Sequence, residues 1–194
     1  ITSSGGHIAV QGTGGGGPSG SGVQISTDGQ ILGTTGTPTV TLTADAMNLL
    51  STTSVDAGAN AVILHPGTAG TQIDLGGADV LTGSPLTLGL TDAELDSVTA
   101  GTLTIGDEAS GSITVSAAVS RPAGTDVELT SGGTILFNSG LDTGGGALLL
   151  SPGATGSVQP QAAGADVTAT GNAASFVSGS VLQIGVGGTV VDSL

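Results

Sequence analysis

The chain has no cysteine, tryptophan, tyrosine or lysine, and only two phenylalanines and one methionine in 194 residues. So few large side chains cannot fill a round, thick core. Without cysteine the fold carries no disulfide staple, and redox compartment leaves no mark. Arg121 is the only basic residue, set against fifteen acids, for a formal net charge of −14. Such a surface repels phosphate backbones and anionic head groups, which argues against nucleic-acid and acidic-membrane partners. No apolar run approaches the roughly 18 residues of a membrane-spanning helix, so membrane insertion is not expected. The opening Ile1 follows no basic and apolar leader, and we read the chain as a processed or excised piece.

Glycine and short aliphatic residues are what the chain has in plenty, with 37 glycines and 37% hydrophobic residues. The glycines show no Gly-X-Y period and fall between apolar alternations, which fits neither collagen nor simple disorder. From Gly101 to Leu150 the alternations are plain: Leu103/Ile105, Ile113/Val115, Val127/Leu129, Ile135/Phe137 and Leu148/Leu150. Alternate residues of a strand face opposite sides, so each pair points inward together. Gly106-Asp107, Ser110-Gly111, Gly124-Thr125-Asp126, Ser131-Gly132-Gly133 and Thr143-Gly144-Gly145-Gly146 interrupt them, as corners needing positive φ would. Alternate strands recur after roughly 21 to 24 residues, the period of a chain that coils and stacks each turn on the last. The expected fold is all-β, a right-handed parallel β-helix (β-solenoid) of about nine coils, forming a rod on the order of 40 to 45 Å long.

One domain over residues 1–194 is expected, with glycine-rich coils at 1–33, a regular body at 34–170 and terminal coils at 171–194. In the first part Ile8/Val10, Val23/Ile25 and Ile31/Leu32 read as strands, and GTGGGGPSGSG at 12–22 as a projecting loop. It is no phosphate cradle, since no Lys-Ser/Thr and no amphipathic helix follow. Val40/Leu42, Val62/Leu64 and Ile73/Leu75 give further strands, and Ala44–Leu50 reads as another. Leu90–Asp96 breaks the pattern: Thr91-x-x-Glu94 is a capping box, and acids in the first turn mark a single helical turn or a tight corner.

Three segments resemble the haemagglutinin-type β-helical repeats of very large bacterial surface proteins, like filamentous haemagglutinin and related adhesins. They are TLTADAMNLLSTTSVDAGANAVILHPGTAGTQIDLG (41–76), LTDAELDSVTAGTLTIGDEASGSITVSAAVS (90–120) and VELTSGGTILFNSGLDTGGGALLLSPGATGSV (127–158). The resemblance implies a right-handed parallel β-helix, export across the outer membrane to the cell surface, and a role in adhesion or surface architecture. The motifs belong to a repeat scaffold and transfer no functional residues.

Chemical constellations are sparse. His7 and His65 have no Cys, His or acid at metal-ligand spacing. Asp92, Glu94 and Asp96 are the weak metal candidates, with Ca²⁺ as the ion they would attract, although helix-start acids facing water explain them better. Gly76–Leu81 is similar to a fragment of a calcium-binding nonapeptide, but it does not repeat and reads as a turn. No Gly-x-Ser-x-Gly elbow occurs. A polysaccharide lyase would need cations and a strong base, and a hydrolase paired carboxylates with stacking aromatics; the chain is poor in both. Thr39/Thr41/Thr43 and Thr102/Thr104 suggest an ice- or crystal-binding array, but the threonines do not recur in every coil. The expected function is therefore a non-catalytic, secreted structural or adhesive solenoid without a cofactor. Its expected partners are further repeats or copies of itself, met through uncapped terminal coils, and cell-surface glycans.

Overall fold

Where Val, Ile or Leu occupies every second position and a small or polar residue follows, the chain forms a short strand and turns. In this computed structural model the strands come in triplets. The first is β1 (Ile8–Gln11), β2 (Val23–Ile25) and β3 (Gln30–Leu32); the second is β4 (Val40–Thr43), β5 (Met47–Leu49) and β6 (Ser54–Asp56). The third is longer, running β7 (Ala61–His65), β8 (Gln72–Leu75), β9 (Thr87–Leu90), helix α1 (Asp92–Asp96) and β10 (Val98–Thr99). Then come β11 (Thr102–Ile105), β12 (Ile113–Val115) and β13 (Val119–Ser120); β14 (Asp126–Thr130), β15 (Ile135–Phe137) and β16 (Leu141–Asp142); β17 (Leu148–Ser151), β18 (Ser157–Pro160) and β19 (Val167–Thr168); and β20 (Ala174–Phe176) with β21 (Val181–Leu182). The structure describes residues 1–14, 20–33, 35–122, 124–162, 165, 167–168, 174–176 and 181–182. The tip of the expected loop (15–19), and the apolar tail through Ile184, Val186 and Val190–Val191, lie outside the described residues.

The first strands of successive triplets form one seven-stranded sheet in the order β1-β4-β7-β11-β14-β17-β20. The second strands form β21-β18-β15-β12-β8-β9 and, separately, β2-β5; the third form β10-β6-β3 and β13-β16-β19. All sixteen of these strand pairings are parallel. Register follows the apolar alternation: Val40 faces Val62, Leu103 faces Val127, and Val127 faces Leu148. A slip of one residue would turn each inward column to water, so the pattern holds the register. All ten inward positions expected between Leu103 and Leu150 are buried. They belong to one apolar cluster that runs from Ile8 to Ala165.

Among the described residues there are seven first strands, where about nine coils were expected over the whole chain. At roughly 4.8 Å per strand the seven-stranded sheet is about 30 Å tall, shorter than the expected rod. Two long connections account for the difference. Partners in successive triplets are separated by 22 residues at Thr43 and His65 and by 24 at Thr104 and Glu128, but the chain takes 32 between His7 and Thr39, and longer still between Ile63 and Thr104. The second of these detours places β9 on the outer side of β8 and lets α1 close the gap before β10 pairs with β6.

The glycines serve a purpose other than the one expected for many of them. Gly106, Gly144 and Gly145 do adopt positive φ. Gly132 and Gly146 do not, and a Cβ there would lie 2.5 Å from Glu108 O and 2.0 Å from Thr125 O. They let the corner of one triplet rest on the backbone of the one before. At the N-terminus, Leu32 N donates to Ile1 O and Ser3 N to Leu32 O, so residues 1–3 cover the free edge of β3, while among the described residues β1 has β4 as its one strand neighbour.

Candidate functional site

The detour through β9 and α1 interrupts two sheets and opens a cleft of about 650 Å³ beside β2 and β5. Its walls are built locally. Thr91 caps α1: its side chain accepts from Glu94 N at 3.3 Å, and the Glu94 carboxylate accepts from Thr91 N at 2.9 Å and from the Thr91 hydroxyl at 2.7 Å. The other Glu94 oxygen accepts from Leu49 N at 3.2 Å, which ties the helix to β5. The helix turn foreseen at Thr91–Asp96 is thus a bridge between two strand blocks.

Asp79 also lines the cleft, in a segment that folds back on β9 through the antiparallel bridge of Val80 to Thr87. Its carboxylate accepts from Gly89 N at 2.8 Å, and a Cβ on Gly89 would sit 2.1 Å from Ala78 C. Only glycine admits that approach. Burial lifts the Asp79 carboxyl to about 6; the hydrogen bond from Gly89 opposes the rise and the neighbouring Glu94 charge adds to it. On the floor, Gln24 and Asn48 are direct cross-strand partners of β2 and β5 and project outward between buried neighbours. Neither amide side chain is engaged by a hydrogen bond among the described residues.

The three acids considered for a metal do not converge. Glu94 is committed to the cap and to Leu49, Asp92 accepts from Ser120 N at 2.8 Å, and Asp96 lies 4.0 Å from Arg121. A single helical turn points consecutive acids to different sides, so closeness in sequence does not make a ligand set. Among the described residues no group of three or more His or acidic side chains is placed to hold an ion. Asp79 stands in the Gly76–Leu81 turn, and its partner there is Gly89.

The histidines link strands. His7 Nδ1 accepts from Thr39 N at 2.9 Å. His65 Nε2 lies 3.0 Å from the Thr43 hydroxyl, and its Nδ1 is 3.1 Å from Asp107 and 3.0 Å from Pro66 O. A hydroxyl, an imidazole and a carboxylate in line has the order of a nucleophile, base and orienting acid. Here, however, Thr43 and His65 are a cross-strand pair, and the amides around Thr43 serve the ladders to β1 and β7. Nothing there gathers donors for a developing oxyanion, and the trio reads as a polar ladder.

Arg121 closes the seam between the third-strand sheets. Its side chain is 1% exposed, and Nη2 donates to Val98 O at 2.6 Å, joining the top of β10-β6-β3 to the residue after β13. Burial lowers its pKa, and the charges of Asp96 and Asp92 oppose that.

No family model, curated protein or solved structure matches the chain. The cleft is lined by two carboxylates, Asp79 and Glu94, and by two amides, Gln24 and Asn48, that make no hydrogen bond among the described residues.

Proposed function

We propose that the chain is a non-catalytic β-solenoid, a right-handed parallel β-helix, that serves a structural or adhesive role at a bacterial cell surface. The observation that carries this reading is the in-register parallel return of each strand triplet on the one before, with a thin column of Val, Ile and Leu inside. A fold of that kind extends by adding equivalent turns and needs no large core. The haemagglutinin-type repeats that the three segments resemble supply the secreted setting and the adhesive role.

The proposed partners are copies of the chain or further repeats, meeting through the terminal strands. On β1, Ile8 N and Gly12 N donate toward β4, and in a parallel ladder the intervening amides face the other way. Those of Ala9 and Gln11 therefore offer an edge to another strand. Residues 1–3 protect only β3, so the cap is partial.

A polysaccharide hydrolase is the second reading, and Asp79 with Glu94 in one cleft is the observation that favours it. It is the weaker reading, because both Glu94 oxygens already accept backbone or hydroxyl protons that hold α1 in place. Mixed outward columns, such as Thr41, Ile63, Thr104 and Glu128 along the seven-stranded sheet, also make a poor ice-binding array.

Negative-stain microscopy and light scattering test the scaffold reading. End-to-end rods that lengthen with concentration are expected. A monodisperse monomer at high concentration would remove the self-stacking partner, and hydrolysis of a polysaccharide by the purified chain would remove the non-catalytic reading.

A further inference from the structure

The cleft at the β5–α1 seam has a chemistry that the scaffold role does not use. Gln24 and Asn48 stand side by side at the ladder spacing of roughly 4.8 Å, each presenting a donor and an acceptor. Asp79 lines the same cleft, and Leu50, 37% exposed, and Leu81 contribute apolar surface to that lining. Paired donors and acceptors beside a small apolar patch match a molecule with hydroxyls around its rim and C–H groups on its faces.

We propose that this cleft is a binding subsite for a neutral pyranose within an uncharged polysaccharide, held by the amides of Gln24 and Asn48 and the carboxylate of Asp79. The proposal rests on the adhesive reading and names its ligand class. Charge narrows the choice: Asp79 and Glu94, in a chain with one basic residue, repel uronic and sialic acids. Volume agrees as well, since about 650 Å³ falls within the usual range of small-molecule sites, roughly 300 to 1,000 Å³. A cation is disfavoured because the Glu94 oxygens are already engaged by hydrogen-bond donors. The detour through β9 is what brings Asp79 into the same lining as the outward amides of β2 and β5.

The test is calorimetric titration of the purified 194-residue chain with neutral tri- to pentasaccharides of glucose, galactose, mannose and N-acetylglucosamine, with sialylated oligosaccharides as the charged arm. At least one neutral series should bind at millimolar or lower concentration, and the sialylated arm at least tenfold more weakly. Asn48→Ala should weaken binding at least tenfold and Gln24→Ala/Asn48→Ala should abolish it, with melting temperatures near that of the parent chain. Absence of neutral saccharide binding, equal binding of sialylated ligands, or unchanged affinity in the double variant would each overturn the subsite. Rod formation in the same preparation would leave the scaffold reading standing in any of those cases. Release of reducing ends that is lost in Asp79→Asn would instead overturn both the binding-only site and the non-catalytic reading.

Discussion

Asp79 and Arg121 are two charged groups placed where water is scarce, and each makes a measurable prediction. The Asp79 carboxyl is lifted from 3.8 to about 6 by burial, so the folded chain holds that proton more tightly than the unfolded chain does. Its stabilising contribution is full below about pH 4 and is lost as pH rises from about 4 to about 6. Thermal melts across that window should show stability falling with pH, and Asp79→Asn should flatten that part of the profile; an identical slope in the variant would count against the buried carboxyl. Arg121 carries buried N–H groups on Nε and Nη1 that make no hydrogen bond among the described residues, and its one ion pair, to Asp96, is long at 4.0 Å, so its charge adds little stability while its bulk fills the seam. Arg121→Ala should cost about 2 to 4 kcal/mol through the cavity and the orphaned Val98 carbonyl, and Arg121→Met clearly less. Chemical denaturation of both variants checks this order. The same burial, with Pro122 following, leaves trypsin-like proteases no accessible cleavage site at the one basic residue.

At the scale of elements, the corners and the helical turn decide how triplets stack. Gly146 has no positive φ, yet a Cβ there would sit 2.0 Å from Thr125 O; Gly58 has φ +58 and open space around the same position. Gly146→Ala must push two layers apart, whereas Gly58→Ala meets only the left-handed strain of roughly 1 to 2 kcal/mol. The expected outcome is a larger fall in melting temperature for Gly146→Ala than for Gly58→Ala. The reverse order would mean that dihedral freedom, not close approach, sets the need for glycine at the corners. Helix α1 depends on its capping box, so Thr91→Ala should cost about 1 kcal/mol.

Over the whole molecule, a net charge of −14 would be severe if acids stacked on acids at the strand spacing. They do not. Asp56 faces Leu32 and Thr99, Glu128 faces Thr104 and Leu149, and Asp142 faces Ser120 and Thr168. Thr104 even donates to Glu128 at 3.0 Å. Between paired strands, repulsion is thus spread beyond direct partners, into the range that salt screens, on the order of 10 Å at 0.1 M. Melting temperature should rise modestly from low to physiological salt, equally with sodium and calcium at matched ionic strength. A selective jump with calcium would reveal a bound ion instead.

Periodicity made most of the architecture legible. Leu103/Ile105, Ile113/Val115 and Ile135/Phe137 are inward because alternation in a strand has one physical meaning, and Thr91-x-x-Glu94 starts a helix because its side chains satisfy that turn's own amides. Local signals of this kind determined the strands, their parallel recurrence and the helical turn. Two-residue strands such as β10 and β13 left too little pattern to read, since one inward Val98 or Val119 is no alternation. β9 was missed because Gly89 sits at its outward position. The cleft was beyond reach for a different reason. Asp79 looked like a turn residue and Gln24 and Asn48 like solvent-facing strand positions; only the packing of β9 against β8, and of α1 against β5, sets them around one space. The turn itself holds Glu94 on Thr91, but where the flanking acids go is decided by the elements around them, because Ser120 N donates to Asp92 and the Arg121 charge lies 4.0 Å from Asp96.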